Sequence, residues 1–369
     1  MHGVNFPIEK TKAEGVSKTF DLSSPEDRKV YFEAKAGPEI EKLRNYLKDK
    51  TFVAFLLGKK NSGKGTYSKL FMEIVGAEHV GPVRGPLASN GVGHLSVGDV
   101  VRDVHEVVEE KGHEYESLKK FLEANFRGFH SVEEVDDIIL GRSTATLLSS
   151  ELTIALIKWE ISRRPRQALF IDGFPRGFDQ INYTLFFKEI IGYQGHPDFF
   201  VFIDVPNSVI DERIKYRVIC PVCKTPRSTK LLATKNVGWD EEKKEFYLMC
   251  DTPTCEKARL VAKEGDELGI EPIKARLETE EKVFKELLKL QGIPKIYLRN
   301  SVPVDKAPEY ADEYELTPEY VYEKNADNSV KVSEKPWAIA DDNGVMSYSL
   351  MPAAIVVSLV RQVSKVLGL

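Results

Sequence analysis

Residues Gly58 to Thr66 read GKKNSGKGT, a glycine-rich loop that carries Lys64. An apolar run from Phe52 to Leu57 leads into it, and Tyr67, Leu70 and Phe71 follow at helix-like spacing. Strand, loop and helix in that order is the context phosphate binding requires. Backbone N–H groups and the positive end of the helix surround the oxygens, and a lysine supplies mobile positive charge. Gly58, Gly63 and Lys64 fit the G-x-x-x-x-G-K half of the Walker A pattern. Gly65, however, stands where that pattern has Ser or Thr, and the hydroxyl comes one residue later at Thr66. Taken alone, the loop reads equally well as a plain strand–turn–helix joint.

Three further segments carry groups suited to phosphate chemistry. His94 to Arg102 reads HLSVGDVVR, Phe170 to Arg176 reads FIDGFPR with Gln180 beyond it, and Asp204-Val205-Pro206 precedes Arg213 and Arg217. Those two arginines, four residues apart, share one helix face. Transfer of a phosphoryl group between two nucleotides gathers several negative charges, so catalysis is mainly positioning and charge neutralisation. Such a site needs arginines from separate segments, a phosphate loop, and carboxylates that hold hydrated magnesium. Each piece also has a plainer reading. An aspartate at a strand end can cap the next turn, and Arg213 and Arg217 can pair with Asp211 and Glu212 on a solvated face.

The four cysteines form another constellation: Cys220-Pro-Val-Cys223, then Cys250 and Cys255 after a long charged excursion. C-x₂-C and C-x₄-C both fall in the spacing range of structural zinc. Four thiolates leave no open position on the metal, so its role would be structural; the alternative is four unpaired thiols.

These residues need a frame. Ser23-Ser24-Pro25-Glu26 reads as a helix start, Gly37-Pro38 as an interruption, and Glu39 to Leu47 as a second amphipathic helix. Gly76 to Gly93 is irregular by composition. Helical patterns fill 100–150, and Ser149-Ser150-Glu151 caps a helix through Ile161. Ala168 to Ile171, Phe199 to Val205 and Ile296 to Leu298 read as buried parallel strands, and Ala353 to Leu367 as a closing helix stopped by Gly368. This alternation predicts a doubly wound α/β core, whose ligands lie at the carboxyl ends of the strands. Residues 218–266 break the pattern and read as an inserted module. The chain of 369 residues is 42% hydrophobic and 30% charged, with a net charge of −5, which leaves no basic footprint for nucleic acid. The leading residues lack the apolar stretch of a secretory signal, and the apolar run Met351–Leu359 is too short to span a bilayer. A reducing, cytoplasmic setting is the expectation.

In their order along the chain, the phosphate loop, HLSVGDVVR, DGFPR with its trailing Gln180, and the arginine pair after DVP resemble the adenylate kinase family of nucleoside monophosphate kinases. The resemblance covers most of residues 51–300 and the terminal helix, and DGFPR is its most specific part. It implies a P-loop NTPase core (51–95, 151–217 and 268–369) preceded by a helical extension (1–50). A helical NMP-binding insertion (96–150) and a LID insertion (218–267) held by zinc on Cys220, Cys223, Cys250 and Cys255 complete the arrangement. By this resemblance, Gly58, Asn61, Ser62, Gly63, Lys64, Gly65, Thr66 and Arg213 would bind ATP. Ser96, Val97, Arg102, Leu148, Gly173, Arg176 and Gln180 would bind the acceptor monophosphate. Arg102 and Arg176 would clamp its phosphate, while Arg213, Arg217 and Arg276 would bridge the two nucleotides. Asp99 and Asp172 would position waters on Mg²⁺. The implied reaction is ATP + AMP = 2 ADP, carried out by a monomer with neither nucleic acid nor membrane as partner.

The chain departs from that pattern in places. Asn61 stands where the family usually has Gly, and asparagine tolerates left-handed backbone better than other residues. Val97 replaces a Thr that touches the acceptor base, which weakens AMP against UMP, CMP or GMP, whereas Gln180 favours adenine. Of the two LID arginines, Arg276 matches one; Lys263 or Arg259 stands near the other, and a lysine gives a point charge without a fork. Residues 100–150 and 299–340 are longer than usual, the latter carrying Tyr310, Tyr314, Tyr320 and Tyr322 and a hairpin pattern over Val321–Val332. These departures also admit a catalytically weak nucleotide-binding regulator on the same fold.

Overall fold

The strand Val53–Gly58 is buried along its whole length and lies at the centre of a five-stranded parallel sheet. The structure, a computed structural model, describes residues 6–12, 18–76, 91–141, 148–327 and 329–369. Across the sheet the strands run Lys295–Arg299, Asp198–Asp204, Val53–Gly58, Ala168–Asp172 and Val92–Ser96. Side chains alternate between two cores. Phe52, Ala54 and Leu56 meet the helices Pro25–Tyr46, Lys64–Val75 and Pro352–Val366. Val53, Phe55 and Leu57 meet Val97–Glu110, Ser150–Ser162 and Lys274–Lys289. Burial on both faces explains why these strands read as continuous apolar runs. The doubly wound α/β expectation therefore holds.

Register brings the polar strand ends together. Asp172 is level with Leu56 on one side and with Ser96 on the other, and Gly58 is level with Ile203. Val92–Ser96 corrects the sequence reading, which placed irregular structure up to Gly93. That strand is short, and its glycine sits where a β-carbon would clash with the Gln167 amide, so close packing replaces an apolar signature. The rest of the stretch expected to be irregular, residues 77–90, lies outside the described residues, as does Asn328.

Ser24 caps the first long helix through Asp27 N–H, and the expected interruption is a kink at Ala36, just before Gly37-Pro38. This helix is fastened to the far end of the chain by a buried ionic cluster. Lys35 Nζ lies 2.6 Å from Asp312 Oδ2 and 3.4 Å from Glu315 Oε1. Tyr31 and Thr11 hydroxyls donate to the same Glu315 carboxylate at 2.6 and 2.8 Å. Lys35→Met is expected to lower the unfolding free energy by about 3–5 kcal/mol, because it strands a buried carboxylate without its cation. A urea-unfolding series measures this, and a loss below about 1 kcal/mol would rule the cluster out as a fastening.

Residues 217–262 stand apart from the central sheet. Arg217–Ile219 pairs with Pro226–Ser228 and Val261–Ala262, and Asn236–Asp240 pairs with Glu245–Met249. The hairpin pattern near 321–332 is present and longer than expected, Pro318–Lys324 pairing with Val330–Pro336. It docks on this module: Tyr320 N–H donates to Lys230 O at 2.8 Å, and Tyr322 Oη donates to Thr229 O at 2.6 Å. Among the described residues no helix is long and apolar enough to cross a membrane.

Candidate active site

The loop after Val53–Gly58 turns through two left-handed residues, Asn61 at φ +64° and Gly63 at φ +97°, before the helix starts at Lys64. Asparagine thus adopts the geometry its short amide allows, and the turn is kept. Lys64 Nζ folds back over the loop, donating to Gly58 O at 2.7 Å and Lys59 O at 3.0 Å, and lies 3.7 Å from Asp172 Oδ1. Asn61 Nδ2, Ser62 Oγ and Asp172 Oδ1 are buried without a hydrogen-bond partner. Such atoms are costly to bury unless a ligand completes them. Gly65 and Thr66 form the first helical turn, and Thr66 is exposed.

On the acceptor side, Ser96 ends its strand and caps the helix Val97–Glu110 by accepting from Asp99 N–H at 3.3 Å. Arg102 projects from that helix. Arg176 arrives from the segment beyond the strand Ala168–Asp172, after Gly173 at φ +89°. A β-carbon placed on Gly98 would lie 3.7 Å from Arg102 Nη1 and 3.9 Å from Arg176 Nη2, so the two guanidiniums converge on one point. Forked donors meeting this way suit a phosphate. Val97 is buried at the head of its helix, and Leu148 is half-buried against the same core.

Asp99 is exposed and paired with Arg102, and it does not line the cavity at Lys64, whose wall includes Gly58, Asp172, Arg176, Arg276 and Glu280. Asp172, at the end of its strand, faces Lys64. Gln180 accepts from Arg176 N–H through Oε1 at 2.8 Å, so contact with a base would have to come from its NH₂ group.

Arg213 and Arg217 do not pair with Asp211 and Glu212, which bind Lys215 and Lys230 instead. Both reach the phosphate loop: Arg213 Nη1 lies 3.4 Å from Asn61 O, and Arg217 Nη1 lies 3.3 Å from Asn61 Oδ1. Arg217 also forms a fork with Asp266, both bonds at 2.7 Å. Arg276 donates to Glu280 at 2.9 Å. Asp266 and Glu280 escaped the sequence reading; their only signals were an acid ahead of a Gly-rich bend and an i,i+4 pair. His94 escaped it as well. Burial pushes it down to about 4, so it is neutral, and its Nδ1 lies 2.9 Å from Ser68 Oγ behind the loop. Arg259 is occupied by Asp240 at 2.5 Å and Glu245 at 2.8 Å and stacks 4.1 Å from the Tyr247 ring.

The four cysteine sulfurs lie within 4.8 Å of one another, with Cys223 and Cys250 Sγ 3.7 Å apart and no disulfide among them. A tetrahedral zinc with Zn–S near 2.3 Å places its sulfurs about 3.8 Å apart. Cys220, Cys250 and Cys255 are buried with Leu248 and Leu260. The donor set and its spacing fit zinc, closed to substrate.

No family model matches the chain. It is 27% identical over 168 residues to an adenylate kinase of Thermotoga neapolitana, covering 45% of this chain and 59% of that one. An adenylate kinase of Clostridium novyi is 26% identical over 224 residues, or 60% and 78% of the two chains. UMP-CMP kinase 2 of Oryza sativa subsp. japonica is 30% identical over 167 residues, or 45% and 49%. The match thus spans about three fifths of the Thermotoga relative. With these relatives, and with a phosphate loop on the central strand of a parallel sheet, the chain resembles the adenylate kinase family of nucleoside monophosphate kinases.

Proposed function

We propose that the protein is an ATP-dependent nucleoside monophosphate kinase, with AMP as the leading acceptor and ADP as both products. The observation that carries this reading is the convergence of Lys64, Arg176 and Arg276 on a cavity walled by a buried Asp172 oxygen without a hydrogen-bond partner. The loop from Gly58 to Thr66 and Arg213 hold the donor phosphates. Arg102 and Arg176 hold the acceptor phosphate in line, and Arg217 and Arg276 neutralise charge between them. An acceptor phosphate oxygen forms the new bond to the γ-phosphorus as the bond to the β,γ-bridging oxygen breaks, leaving that oxygen on ADP. Asp172 would hold hydrated Mg²⁺, which supplies charge neutralisation at the donor phosphates. Residues 51–95, 151–217 and 268–369 act as the core, 96–150 as the acceptor flap and 218–267 as a zinc-held LID whose closure excludes water. Four reduced thiols suit a cytoplasmic setting.

A pyrimidine or guanine acceptor is the second reading. Val97, buried and apolar at the head of the acceptor helix, offers no hydrogen bond to a base, and one relative is named a UMP-CMP kinase. A coupled assay with AMP, UMP, CMP and GMP decides between them. AMP is expected to give the highest kcat/KM, by about tenfold or more. Faster turnover of UMP or CMP would overturn the AMP assignment. ATP binding with no transfer to any of the four would leave a nucleotide-binding regulator.

A further inference from the structure

One acid on the buried side of the helix Lys274–Lys289 has no part in the mechanism above. That helix buries Leu277, Glu280, Val283, Phe284 and Leu287, so Glu280 interrupts an otherwise apolar stripe. Its side chain is 8% exposed. A carboxylate buried among apolar groups is costly unless both of its oxygens are answered. Oε1 is answered, accepting from Arg276 Nε at 2.9 Å. Oε2 is buried without a hydrogen-bond partner. An ordinary i,i+4 pair on the helix accounts for the first oxygen and leaves the second unexplained. Arg276 reaches Glu280 through Nε, although a fork onto both oxygens is the geometry that guanidinium and carboxylate favour.

Glu280 lines the cavity at Lys64 together with Asp172, Arg176 and Arg276, against Leu56 and Phe284. Asp172 is in the same position. Its Oδ1 is also buried without a hydrogen-bond partner, and Lys64 Nζ stands 3.7 Å away, beyond hydrogen-bond reach. Two carboxylates that each lack a donor thus border one cavity of about 20 Å³, a volume that takes about one water. A water in the shell of a divalent cation turns both protons away from the ion, which is the pair of donors these oxygens need. The cavity's three cations, Lys64, Arg176 and Arg276, outweigh its two carboxylates, so a free metal ion is not attracted. A triphosphate reverses that balance and brings the metal with it.

We infer that Glu280 is a positioning residue for the divalent cation of the donor nucleotide: together with Asp172 it accepts from water on that cation, while its other oxygen holds Arg276. This rests on reading the loop as a nucleoside triphosphate site. The acid in the apolar stripe then serves two charges at once, the arginine through Oε1 and the hydrated metal through Oε2.

The test is calorimetric binding of ATP, with excess Mg²⁺ and again with EDTA, to full-length wild type, Glu280→Gln and Glu280→Leu, with melting curves as a control on folding. Glutamine keeps a carbonyl for Arg276 Nε and replaces the unpaired oxygen by an NH₂ donor. Glu280→Gln is therefore expected to weaken ATP by about tenfold with Mg²⁺. With EDTA it is expected to bind ATP at least as tightly as wild type, because a negative charge near the phosphates has been removed. Glu280→Leu completes the apolar stripe and also releases Arg276, so it loses affinity in both conditions, and by about tenfold more with Mg²⁺. A residue that only oriented Arg276 would change both affinities by one factor. If wild type binds ATP and the ratio of affinities with Mg²⁺ and with EDTA stays within about twofold of wild type in the folded variants, the inference is wrong and the triphosphate reading stands. If wild type binds ATP in neither condition, that reading fails and takes the inference with it.

Discussion

Lys64→Ala is expected to lower kcat by about three orders of magnitude or more while leaving the melting transition in place. The ammonium links the loop to the acid at the neighbouring strand end. It bonds Gly58 O and Lys59 O and stands 3.7 Å from Asp172 Oδ1. The Gly58 and Lys59 carbonyls accept from Lys64 where phosphate oxygens would, and on the proposed reading substrate would draw the ammonium out toward its own oxygens. On the proposed reading alanine would remove charge at the point where negative charge is transferred, so the loss would fall on the chemical step as well as on binding. The fold is spared because the left-handed turn at Asn61 and Gly63 is set by backbone, and the helix behind it is anchored by buried Tyr67 and Phe71. Steady-state kinetics and a circular-dichroism melt give both readings. Retention of more than about a tenth of wild-type kcat would remove Lys64 from the chemistry.

Much of this site was legible because its signals are local. A strand ending in glycine, a left-handed turn and a helix opening on Lys64 occupy a dozen consecutive residues, and the strand Ala168–Asp172 ends on its acid before Arg176 in the same way. The buried strands showed themselves as apolar runs because both faces are covered. What the sequence did not disclose is long-range pairing. Glu315 meets Thr11, Tyr31 and Lys35 from about three hundred residues away, and nothing in the composition of either segment announces the other. Asp266 likewise forks Arg217 from about fifty residues away, with no local pattern to mark the pair. Val92–Ser96 was missed for a different reason: a short strand with Gly93 and His94 in it has no apolar period to detect.

The same contrast governs the cysteine module, where spacing predicts the ligands but packing decides how much depends on them. The buried cluster of residues 217–262 is small, comprising Cys220, Cys250 and Cys255 with Leu248 and Leu260. Its sheets have three and two strands. So little apolar burial cannot offset the conformational entropy of ordering the segment, at about 1–2 kcal/mol per residue of backbone. Structural zinc on thiolates contributes about 10–16 kcal/mol of binding free energy, which is of the size required. Chelation, or Cys250→Ser, is therefore expected to unfold this module alone. About one equivalent of zinc should be released, and protease should cut within 217–262 while the melting transition of the parallel sheet persists. Activity should drop about a hundredfold, because Asp266, which forks Arg217, and Lys263 lose their placement with the module. The hairpin Pro318–Pro336 should keep the loosened segment tethered through Tyr320 N–H to Lys230 O, so cleavage is expected away from Thr229 and Lys230. Metal analysis before and after chelation, with mass mapping of the cut sites, tests this directly. Less than about half an equivalent of zinc per chain, or a cleavage pattern unchanged by chelation, would show that the four sulfurs gather without a metal.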